Sequence, residues 1–242
     1  MENGKSQNAT TKKGTFFTRK IVISVIIILA LVLVPLGYLF TCNRLLQKIT
    51  AVGRDHYMQM ISMSKECEPL GITNCLGPRT YGVITHPANH TGDIAEKAYT
   101  TSTEYFTDLS NVSGFGHSIS ILSPDITTTT RTLTSSNNAW AVLANVKDKD
   151  VSALPILITR NVDIEALNHV LKTGITSNDF STPVQLDTML KIPFGKRVGI
   201  LIRKDGKTEE FQKKHTTLGT IFGNTEIPPR PDSEPPLMYL QP

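Results

Sequence analysis

Twenty consecutive residues without a charge, Ile21–Phe40 (IVISVIIILALVLVPLGYLF), constrain this chain more than any other feature. A helix rises 1.5 Å per residue, so the run spans about 30 Å, the thickness of a bilayer's hydrocarbon core. Helices buried inside domains seldom run this long without a polar stripe. Ser24, Pro35 and Gly37 interrupt the run, but a helix in lipid absorbs such breaks. A cleaved signal peptide is the rival reading, with an apolar stretch of about 7–15 residues ending in small residues. Here the run is longer and closes on Leu39-Phe40-Thr41-Cys42. Leu39 and Cys42 sketch a lipoprotein box, but Thr41 is a poor residue just before the cysteine. The run therefore predicts a retained, single-pass transmembrane helix over 21–40.

Charge near the two ends sets the expected orientation. Lys5, Lys12, Lys13, Arg19 and Lys20 precede the helix against one acid, Glu2, while Arg44, Lys48 and Arg54 follow it. This bias predicts a cytoplasmic N-terminal tail over 1–20 and an extracytoplasmic (periplasmic) C-terminal portion. Residues 1–20 hold five of the 25 basic and one of the 21 acidic side chains, so beyond them the two signs cancel. A neutral outer portion argues against nucleic acid as a partner, because that affinity rests on clustered Lys and Arg.

Beyond the anchor, Asn43–Lys65 (NRLLQKITAVGRDHYMQMISMSK) places apolar residues at broadly helical intervals. It predicts an amphipathic continuation of the helix over 41–65. Leu45, Ile49 and Val52 are the expected contacts with a sheet, Gly53 a possible bend, and Met58, Met60 and Met63 adaptable core packing. The segment from Glu66 to Gly92 is rich in Pro, Gly, Asn and Thr and predicts a long loop with an extended piece at Tyr81–Ile84. Thr101-Ser-Thr-Glu104 is a possible capping box, opening a helix through about Leu109 that buries Tyr105, Phe106 and Leu109. Ser118–Leu122 reads as a strand and Thr127–Thr130 as an exposed loop or edge. Trp140–Val146 and Pro155–Thr159 suit buried strands, joined by a solvated turn, Lys147-Asp-Lys-Asp150. Asp163 can cap a helix Ile164–Thr173 with Ile164, Leu167, Val170 and Leu171 inward and Gly174 at its end. Arg197–Arg203 and Thr208–Lys213 flank Lys204-Asp-Gly-Lys207, where Asp-Gly marks a hairpin turn. Ile227–Pro242 holds six prolines and reads as an extended, inert tail. The fold class is α+β: a long N-terminal helix followed by a small antiparallel sheet, with the domain over 66–223 and a Pro-rich tail over 224–242.

Chemistry-bearing residues are scattered. His86 and His90 are four apart with Asp93 following, a helical metal spacing, but Pro87 lies between them and Gly92 beside them, which disfavours a helix. Ser, His and Asp are all present without a Gly-x-Ser-x-Gly elbow, and Gly114-Phe-Gly116 lacks the third glycine of a phosphate loop. No catalytic, cofactor-binding or metal residues are assigned. Cys67 and Cys75 close a short loop and are either a disulfide or two free thiols. Asn89-His-Thr91, Asn111-Val-Ser113 and Asn8-Ala-Thr10 fit the glycosylation tripeptide, and the last lies on the expected cytoplasmic side, so the pattern carries little weight here.

The order of basic tail, apolar helix, amphipathic continuation and β-rich domain resembles type IV pilins and type II secretion pseudopilins. The resembling pieces are Thr101-Ser-Thr-Glu-Tyr-Phe106, Ser136-Asn-Asn-Ala-Trp-Ala-Val142, Pro155-Ile-Leu-Ile158, and Pro193-Phe-Gly-Lys196 leading into Lys204-Asp-Gly206, across about residues 20–222. The resemblance implies a non-catalytic structural or interaction protein of the cell envelope, linked to a secretion system, with other helices or proteins as lateral partners. The N-terminus departs from the pattern. Prepilins are cut after a glycine and carry Glu at the fifth mature position; counted from Gly14, that position is Arg19, beside Lys20. An arginine cannot neutralise a neighbour's amine and instead snorkels to the interface. A permanently anchored, pilin-like protein is expected rather than a filament subunit. The alternative is a single-pass anchored extracytoplasmic binding or sensory domain unrelated to pilins, and an anchored hydrolase is a third.

Overall fold

A computed structural model of the chain describes residues 8–67, 76–80, 85–87, 94–96, 98–112, 133–186, 198–212 and 216–242. The extended piece at 81–84, the strand at 118–122, the segment 127–130 and Gly114–Gly116 lie outside these, as do the side chains of Cys67 and Cys75. The chain divides after Arg44 into two compact units.

Helix α1 (Asn8–Cys67) is a single helix of 60 residues. In the first unit its residues from Ile21 to Phe40 are exposed on every side, from Ile23 at 49% to Phe40 at 71%. This stretch is long and apolar enough to cross a membrane. Pro35 lies inside the helix, and Thr41 Oγ1 donates back to the Gly37 carbonyl at 2.9 Å.

In the second unit, Leu45–Pro242, α1 buries one face. Ile49, Gly53, His56, Met60 and Met63 are buried at alternating spacings of four and three, the repeat that keeps one stripe of a helix against a partner. Of the three expected sheet contacts, Ile49 is buried and Val52 packs against the core, but Leu46 rather than Leu45 joins them. Met58 is 61% exposed, so only Met60 and Met63 of the three methionines fill the core.

The sheet is five-stranded and antiparallel in the order β6–β5–β4–β3–β7, formed by β3 (Trp140–Ala144), β4 (Pro155–Thr159), β5 (Val198–Arg203), β6 (Thr208–Gln212) and β7 (Met238–Leu240). A separate two-stranded pairing joins β1 (Thr85–Pro87) to β2 (Ile94–Glu96). With α2 (Ser102–Val112), α3 (Ile164–Thr173) and α4 (Leu218–Phe222), the architecture is α+β, a long apolar helix followed by a small antiparallel sheet. Every residue of β3 and β4 is buried. Both faces of these strands are therefore covered, which explains apolar runs with no alternation.

Local chemistry accounts for the elements. Glu104 N donates to Thr101 Oγ1 at 3.2 Å at the start of α2, and Tyr105, Phe106 and Leu109 are buried. Asp163 Oδ1 accepts from Ala166 N at 3.0 Å at the start of α3, whose buried face is Ile164, Leu167 and Leu171. Gly206, at φ 85°, makes the turn between β5 and β6. Across that hairpin Gly199 pairs with Phe211, and the phenyl ring covers the space a side chain would fill.

Two segments differ from expectation. Ile227–Pro242 is not a tail outside the domain: Ile227, Leu237, Tyr239 and Leu240 are buried, and β7 pairs with β3. The Lys147–Asp150 turn is clamped rather than simply solvated. Lys204 Nζ donates to the carbonyls of Lys147, Asp148 and Asp150 at 2.9, 2.6 and 2.7 Å, and Asp150 pairs with Arg230.

Candidate functional site

Of the histidines and cysteines scattered through the sequence, the side chains of His56, His169 and Cys42 are among the described residues. His86 sits in strand β1, so the four-residue spacing to His90 is not helical at its first member; the side chains of His86, His90 and Asp93, and those of His117 and His215, lie outside the described residues. His169 is exposed on α3, and Cys42 is a half-buried free thiol. Among the described residues no three His, Cys, Asp or Glu side chains come together as a metal site.

What the fold does concentrate is buried polarity along α1. His56 is 3% exposed, and its ring stacks on Phe106 of α2 with centroids 4.0 Å apart and planes within 7°. Burial holds its pKa at about 4, and the Gln59 amide one turn later offsets this only in part. Neither ring nitrogen of His56 finds a partner with hydrogen-bond geometry, nor do Gln59 Oε1 or Trp140 Nε1. Gly53 was expected as a bend; its place here is to admit the Trp140 indole, whose Cζ2 would lie 2.3 Å from an added Cβ. Tyr57 reaches the β5–β6 hairpin, its hydroxyl donating to the Lys204 carbonyl at 2.8 Å, and Arg54 Nε donates to Thr208 Oγ1 at 3.2 Å.

On the opposite count, two polar clusters are fully engaged and serve the fold. The Arg203 guanidinium is buried and donates to the carbonyls of Ala153, Ile221 and Thr220 and to the Glu209 carboxylate at 2.6 Å. That guanidinium, with Lys207, holds the Glu209 carboxyl down at about 2. Asn145, at φ 64°, joins three segments: its amide donates to Thr80 Oγ1 at 2.8 Å and the Pro236 carbonyl at 2.7 Å and accepts from Thr80 N at 3.0 Å.

One groove opens on the surface between the β3–β4 turn and the Pro-rich end of the chain. It encloses about 260 Å³, with Val151, Leu154, Pro228, Pro231 and Leu237 along it and Glu226 at its side. Its apolar members Leu154, Ile227 and Leu237 are buried, and Lys149, Asp150, Arg230 and Glu234 also line it, so it offers apolar contact beside a charged margin.

Neither Gly53 nor His56 carries a motif; the sequence marked Gly53 only as a possible bend and gave His56 no role. The available signal was their place on one stripe with Ile49, Met60 and Met63, where a glycine and a histidine interrupt an apolar seam. Comparison with models of protein families, with curated proteins and with solved structures finds no match to this chain.

Proposed function

We propose that this chain is a membrane-anchored, non-catalytic structural or interaction protein of pilin-like design, with a cytoplasmic N-terminal tail and an extracytoplasmic domain. The observation that carries this reading is α1: apolar and exposed on every side over 21–40, and from Ile49 onward buried along one stripe by an antiparallel domain. An exposed apolar surface twenty residues long is costly in water at about 25 cal/mol per Å², and lipid removes that cost. The outer half of the helix is held to the domain by packing and by the Tyr57 and Arg54 hydrogen bonds to the β5–β6 hairpin, a structural and not a chemical role. Arg19, exposed at the mouth of the apolar run, supports a helix that stays in place rather than one that polymerises.

The test is intact-mass and N-terminal analysis of the protein recovered from alkali-washed membranes, with protease added from either side. Retention in the membrane, an uncut Met1 and a protected N-terminal tail are expected. A start at Thr15 would restore the filament-subunit reading, and a lipid-modified Cys42 would overturn the anchor. The groove beside Val151 favours a second reading, an anchored binding or sensory domain. A Val151→Asp variant that leaves the fold intact but abolishes cross-linking of a partner would favour that reading over a purely structural one.

A further inference from the structure

The contact between α1 and the rest of its domain is tight in shape and poor in polar pairing. Six buried side-chain polar atoms lack a partner among the described residues, and four of them, on His56, Gln59 and Trp140, belong to this one seam. Native interiors tolerate few such atoms, and a cluster of them calls for an explanation. We propose that the seam between the outer half of α1 and the face formed by α2 and β3 is an acid-released latch, opened when His56 takes up a proton.

The geometry sets up the two states. With the seam closed, the imidazole lies against Phe106 with 3% of its surface exposed. A proton added there makes a buried cation, and the Gln59 amide one turn away and the small cation–π attraction of the phenyl face offset only part of the loss of water. With the seam open, His56 and the orphaned atoms of Gln59 and Trp140 are hydrated, and the imidazole returns to its ordinary basicity. No charge nearby takes over this role among the described residues. On α2, Glu104 and Asp108 act on the Tyr99 hydroxyl. On α1, Arg54 meets Thr208 and Asp55 is exposed. The residues of β3 carry no charge at all.

The sign follows from the two values. His56 ionises near 6.5 in water and at about 4 when buried, so between those values the open form holds a proton that the closed form rejects. The seam is therefore at full strength above pH 6.5 and weakens as pH falls toward 4. Relative to pH 7.5, the open fraction rises about 30-fold at pH 5. The latch depends on the packing of the domain alone and holds whatever surrounds the apolar run.

Hydrogen exchange of the full-length protein in detergent micelles, corrected for intrinsic rates, tests this, with the emission of Trp140, the chain's single tryptophan, as a second reporter. Exchange in Leu45–Lys65 and Ser102–Leu109 should rise about 30-fold from pH 7.5 to pH 5 while amides of β4 and β5 stay protected. His56→Phe, which keeps the stack and removes the proton site, should flatten that dependence, and His169→Ala, on an exposed position, should leave it intact. Exchange in the wild type that does not change with pH overturns the latch, as does an equal slope in His56→Phe. A parallel rise in β4 and β5 also overturns it, since that is unfolding of the whole domain. If His56→Phe does not fold, the wild-type slope and the β4 and β5 amides decide.

Discussion

Replacing Gly53 by alanine sets two effects of known size against each other. Alanine is favoured over glycine in a helix interior by about 1 kcal/mol, so on propensity alone the change stabilises α1. The added Cβ, however, would stand 2.3, 2.6 and 2.8 Å from Cζ2, Cε2 and Cη2 of Trp140. Carbon atoms rest at about 3.5–4.0 Å, so the indole or the helix must retreat by roughly 1.2 Å or more. Trp140 is fully buried, so its rigid ring can retreat only by displacing packed neighbours. Overpacking of this kind costs about 1–3 kcal/mol, and the stiffness of the ring places it toward the upper end. Net destabilisation of about 1–2 kcal/mol is expected, a melting temperature lower by about 2–8 °C. Thermal unfolding in micelles, followed by Trp140 emission, measures this directly and reports loosening around the indole as a red shift. Gly37→Ala is the internal control, because nothing lies within 4 Å of a Cβ there. A melting temperature raised in Gly53→Ala, or the same change in both variants, would refute the close approach of helix and tryptophan.

Three further outcomes are expected. Arg203→Met leaves three carbonyls without their donor and the partly exposed Glu209 with Lys207 alone, a loss of about 1–3 kcal/mol; an unchanged urea midpoint would contradict the clamp. Ending the chain at Pro236 removes β7, so the unfolding transition should lose its cooperativity, and a truncated protein that melts like the full chain would show that β7 is dispensable. Glu209 is held at about 2 against an ordinary 4.5, first by its hydrogen bond from Arg203, so its contribution is present above pH 4.5 and lost as pH falls through 2. Glu209→Gln should therefore flatten the acid limb of stability below pH 4 and leave the range from pH 5 to 6.5, where His56 acts, unchanged; an altered slope in that upper range would mean the two groups are coupled.

Local signals were readable wherever a residue acts on its own neighbours. The apolar run announces α1, Thr101 and Asp163 announce the starts of α2 and α3 by their caps, and Asp205-Gly206 announces the β5–β6 turn. The features that escaped depend on partners far along the chain. Six prolines disguise Met238–Leu240, which is a strand only because β3, nearly a hundred residues earlier, supplies its hydrogen bonds. Five-residue α4 has too short a pattern to register, although Thr217 caps it by accepting from Thr220 N. Gly53 looks like a hinge in one dimension and is a socket in three. The Lys147–Asp150 turn looks solvated because Lys204, which binds its carbonyls, arrives from a different hairpin.

The last strand also bears on how copies of this chain can associate. An open sheet grows by adding strands at its edges. At β7 the outward backbone groups are already occupied: Asn168 Nδ2 donates to the Tyr239 carbonyl at 3.0 Å, Tyr239 N donates to Asn168 Oδ1 at 2.6 Å, and the Gln241 carbonyl accepts from Ser102 N at 2.8 Å. A carboxamide stands where a sixth strand would lie. Among the described residues, growth of the five-stranded sheet is left with the β6 edge, which carries Glu209 and Glu210. Two such edges meeting exhaust each other, so strand pairing through this sheet ends at two copies. An assembly of more than two copies has to use surfaces other than these strand edges.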